Sequence, residues 1–105
     1  MQLFLRFSAR SGAFINAGNT ADTNGLSPFG VVSIASGSST GEYDISFATT
    51  QSDTDYMVNM TSENETTFLT YRIKDKATTG YTIEVFDASN NNPTNGKVNV
   101  TMYSS

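Results

Sequence analysis

Two pairs of carboxylates frame one apolar run. Asp53 and Asp55 precede it, and Glu63 and Glu65 follow it. Alternate residues on an extended chain point the same way, so each pair could converge on one cation. Calcium suits such a set, because it takes clustered carboxylate and carbonyl oxygens at about 2.3–2.6 Å. The fixed spacing of an EF-hand-like loop is absent. Solvated turns are the expected reading of both pairs, and no metal or cofactor is assigned. A glycosidase needs two carboxylates about 5–9 Å apart across a sugar cleft. The ten acidic residues could supply such a pair, but no spacing selects one. There is no His and no Cys. The usual general base, the usual partner of a nucleophilic Ser and the reactive thiolate are therefore missing. Lys74 and Lys76 flank Asp75 and read as a strand end facing water. No catalytic residue is assigned and no enzyme is expected.

Binding chemistry is better supplied. Tyr43, Tyr56, Tyr71, Tyr81 and Tyr103 could stack on sugars while Asn and Ser amides and hydroxyls hydrogen-bond to them. All five, however, fall at apolar strand positions or a strand end, which favours core or interface. Three Asn-x-Ser/Thr sequons occur, at Asn59, Asn64 and Asn99. With 28 Ser and Thr and ten Asn in 105 residues, about three arise by chance, so they carry no weight.

These side chains must be held by one small domain. The chain of 105 residues is expected to fold as a single β-sandwich domain, 1–105. A chain of this length buries only about 60–65% of its unfolded surface. Without disulfides or a thiolate metal site, such a domain often depends on neighbouring chains. Six basic against ten acidic residues give a net charge of −4. That balance argues against nucleic acid, which demands a dense cationic face. The longest clean apolar runs, Leu3-Phe4-Leu5 and Ala13-Phe14-Ile15, fall far short of the roughly 20 residues that span a bilayer, so no membrane partner is expected. The start, Met1 to Phe7, lacks the basic and apolar regions of a signal peptide.

Period two runs through the sequence. Tyr43, Ile45 and Phe47 alternate with Asp44, Ser46 and Ala48, and Leu69, Tyr71 and Ile73 alternate with Thr70, Arg72 and Lys74. The same rhythm holds at Leu3–Phe7, Tyr56–Met60, Tyr81–Val85 and Val98–Met102. Turn formers separate the runs, among them Gly37-Ser38-Ser39-Thr40-Gly41, Thr79-Gly80 and Asn90 to Gly96. Strands are predicted near 2–7, 12–16, 29–35, 41–49, 54–62, 67–75, 79–87 and 96–103. About eight short antiparallel strands and no helical periodicity predict an all-β, sandwich or jelly-roll-like domain. The last two strands are expected to form a hairpin with a mobile tip at 90–96. Two segments begin alike, Gly41 to Ile45 and Gly80 to Ile83.

Residues 17–28 form a polar loop long enough to be functional or to cover a partner surface. At the N-terminus, Leu3, Phe4, Leu5 and Phe7 make both faces of their strand partly apolar. An uncovered apolar edge invites aggregation, so this run either docks on another chain or lies centrally in a sheet. Residues 1–11 are thus a candidate docking strand.

Gly41-Glu42-Tyr43-Asp44-Ile45-Ser46-Phe47-Ala48-Thr49-Thr50, followed by Asp55-Tyr56-Met57-Val58, resembles a pattern of tailed-bacteriophage fibre and virion surface proteins. The pattern is a small turn, Gly-Asp/Glu-Tyr-x-Val/Ile-x-Phe, a polar loop, then Asn/Asp-Tyr-x-Val. Ala13-Phe14-Ile15-Asn16 resembles the family's Ala-Trp/Phe-Val-Asn strand. Phe29 to Ile34, Thr67 to Ile73 and Lys97 to Tyr103 resemble further strands, so the likeness covers about residues 12–103. Phe14 stands where Trp is common, and the Asn90–Gly96 insertion departs from the pattern.

The resemblance implies a small β-sandwich that assembles as a homotrimer on the phage particle, without catalysis. Within it, the expected role is a capsid decoration (cement) protein that binds the major capsid protein or another virion protein and stabilises the particle. A chain starting at Met1 with no shaft sequence favours this expectation. The alternative is a tail-fibre or head-fibre tip that binds host-surface carbohydrate. Leu3, Phe4, Leu5, Phe7 and Phe14 are the expected oligomer or docking contacts. Asn19, Asp22 and Asn24 in one loop, and Asn91, Asn92 and Asn95 in another, are the expected ligand contacts. The expected location is the virion, on the capsid surface or the tail fibre.

Overall fold

A computed structural model of the chain describes residues 8–15, 30–37, 39–63 and 66–104. Among them are seven strands: β1 (Ser8–Ile15), β2 (Val31–Ser36), β3 (Glu42–Phe47), β4 (Met57–Ser62), β5 (Leu69–Ala77), β6 (Gly80–Asp87) and β7 (Val98–Ser104). They pair only antiparallel, in a three-stranded sheet of order β1-β7-β4 and a four-stranded sheet of order β2-β3-β6-β5. The predicted run at 2–7 lies outside the described residues. The other seven predicted strands all appear, with ends shifted by a few residues.

The alternation of residue types becomes a sandwich. Tyr43, Ile45 and Phe47 of β3 and Tyr81, Ile83 and Val85 of β6 turn inward from one sheet. Ala13 and Ile15 of β1, Val58 of β4 and Val98, Val100 and Met102 of β7 meet them from the other. Removing this apolar surface from water, at about 25 cal/mol per Å², is what holds the two sheets face to face. The segments that begin alike pair with each other. Tyr43 lies opposite Ile83 and Ile45 opposite Tyr81, at the centre of the four-stranded sheet.

Two tyrosines, buried Tyr56 and half-buried Tyr71, bind the layers together through their hydroxyls. Tyr56, just before β4, places its hydroxyl 2.9 Å from the carbonyl oxygens of Ala77 and Gly80, where β5 turns into β6. Its ring meets Phe47 edge-on at 5.3 Å and Tyr81 at 6.3 Å. Tyr71 of β5 donates to the Val58 carbonyl of β4 at 3.2 Å. A Tyr at these positions buries its ring and still satisfies its polar end.

The expected closing hairpin is not formed. β6 pairs with β3 and β5, whereas β7 pairs with β1 and β4, so the chain crosses between sheets after Asp87. The physical reason is loop length. The Asn90–Gly96 segment is long enough to span the sandwich, and it first folds back along β6 through a Phe86–Pro93 bridge. Its second half is tied down. Thr94 donates its amide to Val85, and Asn95 Oδ1 accepts from the Gly41 amide and the Tyr43 hydroxyl, both at 3.0 Å.

The candidate docking strand 1–11 divides. Ser8 to Ser11 already belong to β1 and register against β7, with a bulge between Ala9 and Ser11. Residues 1–7 lie outside the described residues.

Candidate functional site

The acidic pairs do not make a metal centre among the described residues. Asp53 Oδ1 accepts the Asp55 amide at 2.9 Å, which closes a turn on the surface. Glu63 accepts from Asn99 Nδ2 at 2.7 Å. Glu65 lies outside the described residues. Asp53 and Asp55 thus form a solvated turn, whereas Glu63 is tied to β7 through Asn99 and, by its amide, to the Lys97 carbonyl.

Lys74 and Lys76 are more occupied than a strand end facing water. Lys74 Nζ pairs with Glu42, whose side chain is buried. Lys76 Nζ donates to the Tyr56 carbonyl at 2.5 Å and lies 4.9 Å from the centre of the Tyr56 ring. The cause is the irregularity between Ile73 and Asp75, where the register against β6 shifts. The hydrogen bond and charge of Glu42 hold the Lys74 ammonium above its ordinary pKa. Beside it, Arg72 Nε lies 2.7 Å from Glu84 Oε1. Sequence reading missed this set, because two buried glutamates at solvent-facing strand positions leave no mark in an alternating pattern.

The two outer faces differ in chemistry. On the four-stranded sheet, Glu42 registers against Glu84, Glu84 against Arg72, and Asp44 against Thr82. Charge is dense there, and Thr82 Oγ1 also donates to Asp44 at 2.6 Å. On the three-stranded sheet, the outward residues are Met57, Asn59 and Thr61 of β4 and Asn99, Thr101 and Tyr103 of β7. The β1 positions registered against that row of β7 are Ala9, Gly12 and Phe14. None of these nine residue types is charged, and the carboxylate that reaches the row is Glu63, on Asn99 at its end.

Of the residues expected to dock, Phe14 takes a register position opposite Asn99, and Leu3, Phe4, Leu5 and Phe7 lie outside the described residues. Of those expected to meet a ligand, Asn19, Asp22 and Asn24 also lie outside them. Asn95 is used internally, holding β3 to the loop. Asn91 and Asn92 are exposed, and Asn91 adopts a left-handed φ of 59°, which Asn tolerates. The tyrosines do not form a sugar platform as a set. Tyr43, Tyr56 and Tyr81 are buried in the core. The exposed aromatic is one the sequence reading did not select. Phe68 is 87% exposed and, with Met57, is one of the large apolar side chains left in water among the described residues. Its position just before an alternating strand was the available signal.

Compared with known protein families, curated proteins and solved structures, the chain matches none.

Proposed function

We propose that the chain is a bacteriophage virion structural protein, a capsid decoration protein whose small jelly-roll-like sandwich binds as a trimer and stabilises the particle. The observation that carries this reading is the contrast between the outer faces. A face whose one bonded carboxylate among the described residues is Glu63, at the end of the β4 row on Asn99, and which bears Met57 at 51% exposure with Tyr103 beside it in register, can be dried at low electrostatic cost. The opposite face, with Arg72, Lys74, Glu42 and Glu84, keeps its charge in pairs and suits solvent. A decoration protein uses one face to add buried area at a junction between subunits and leaves the other in water. Phe14, expected to dock, takes its register position in the row of this sparsely charged face. The resemblance of Gly41 to Val58 to phage surface proteins points the same way.

The test is particle biochemistry. Labelled protein should locate on the head of the virion, and particles lacking it should break at lower temperature and lower salt than complete ones. Particles of equal resistance would overturn the stabilising role. Label on the tail would replace it with the fibre reading.

A further inference from the structure

Phe68 is left out of the core, although its neighbours along β5, Leu69, Tyr71 and Ile73, all pack on it. Burying a Phe is worth about 1.5–3 kcal/mol, so an 87% exposed ring contributes little to folding. The ring nevertheless sits on a firm base. The Phe68 carbonyl accepts the Ala88 amide at 2.9 Å, and Leu69 registers against Asp87. Together with Thr66, Thr67 and the Asp87–Ser89 turn, it lines an open cleft of about 340 Å³.

The polar side of that cleft is preset. Asp87 Oδ1 accepts from the Ser89 hydroxyl at 2.6 Å and from the Ser89 amide at 2.8 Å. The Ser89 hydroxyl and amide hold the Asp87 carboxyl below the ordinary carboxylate value, so it stays ionised at neutral pH. Both Ser89 hydrogen bonds fall on Asp87 Oδ1, which leaves Oδ2 to accept from a guest. The turn behind it is braced by the Asn91 amide on the Asp87 carbonyl and by the Asp87 amide on the Asn92 carbonyl.

One apolar ring beside an ionised acceptor and hydroxyls matches a molecule that has a C–H face and hydroxyl donors on its rim. A pyranose is such a molecule. A protein partner would call for a wider apolar patch than one ring among polar groups. We propose that Phe68, Asp87 and Ser89 form a shallow subsite for one neutral hexopyranose unit of a polysaccharide. The ring stacks on the sugar's C–H face, and the carboxylate accepts from its hydroxyls. Acidic sugars are disfavoured by the Asp87 charge. This site is independent of the docking face and does not rest on the decoration reading.

The experiment is an amide NMR titration of the intact protein with hexasaccharides of glucose, galactose, mannose and N-acetylglucosamine, and with polygalacturonate as the acidic comparison. At least one neutral oligosaccharide should shift the amides of Phe68, Ala88 and Ser89 with millimolar affinity. Phe68→Ala should weaken that binding about tenfold or more, Asp87→Asn should weaken it too, and Phe68→Trp should tighten it. The oligomeric state should not change. The proposal is overturned if no neutral oligosaccharide moves these amides, if the shifts survive in Phe68→Ala, or if polygalacturonate binds equally well. It is also overturned if Phe68→Ala loses attachment to particles while every sugar stays silent, because Phe68 would then be a protein contact.

Discussion

Glu42 and Glu84 lie directly opposite one another across the β3–β6 ladder, both with buried side chains. Like charges in that relation oppose pairing. Each is offset by a cation from β5, Lys74 on Glu42 and Arg72 on Glu84. The ion pairs of the charged outer face therefore join four residues on three strands. Lys74→Met should lower stability, because Glu42 then stays buried beside Glu84 without its cation. Adding Glu42→Gln to Lys74→Met should restore part of the loss. Urea midpoints of the single and double variants check this, and equal midpoints for both would count against the coupling.

Asn95 couples the long crossover loop to the core. Its Oδ1 takes the Gly41 amide and the Tyr43 hydroxyl, and Tyr43 is among the most buried side chains. Gly41 sits at φ +81° against the Val85 and Thr94 backbone, so its amide has little freedom to find another acceptor. Asn95→Ala should destabilise by about 1–3 kcal/mol. Asn95→Asp keeps the oxygen and should cost less. Denaturant unfolding of the two variants measures the difference.

The core was legible in the sequence because burial acts on alternate residues. Ile45, Ile83, Val85, Val98, Val100 and Met102 all point inward as their spacing predicts. The likeness of Gly41–Ile45 to Gly80–Ile83 was legible too, but not its meaning, which is that the two segments register against each other. Strand partnership was not legible. The length of the Asn90–Gly96 segment permits a crossing between sheets but does not demand one, and an isolated alternating run has no mark for its neighbour. The roles of Lys74 and Asn95 were hidden for the same reason, because each depends on a contact across strands that sequence spacing does not carry.

Stability should fall at alkaline pH. Burial, the largest cause, raises the pKa of the Tyr56 and Tyr81 phenols above the ordinary value of 10.0, and Glu42 raises that of Lys74 above 10.5. A group whose pKa is higher in the folded state holds its proton more tightly there. Its contribution is complete below the unfolded value and is lost as pH rises through the folded value. All three groups act in the same direction, so the loss should begin near pH 10. Tyr81→Phe removes one buried ionisation and should flatten the decline. Unfolding midpoints measured from pH 8 upward would contradict this if they stayed level.

The sparsely charged face of the three-stranded sheet offers the sharpest test of assembly. Met57, Asn59 and Thr61 are exposed at the β4 edge, and Tyr103 lies opposite Met57. A lysine at such a position remains in water in the isolated chain, so Met57→Lys and Thr61→Lys should each leave folding stability within about 0.5 kcal/mol. In an assembly the same lysine must be dehydrated against an apolar neighbour, which is costly without a counter-ion. Sedimentation should therefore show a smaller particle for these variants than for the native chain, and binding to phage heads should weaken. Changing Asp44 or Thr82 to lysine on the opposite face serves as the comparison and should leave both properties as they were. If the charged-face changes disrupt assembly and the Met57 and Thr61 changes do not, the docking surface is the four-stranded sheet.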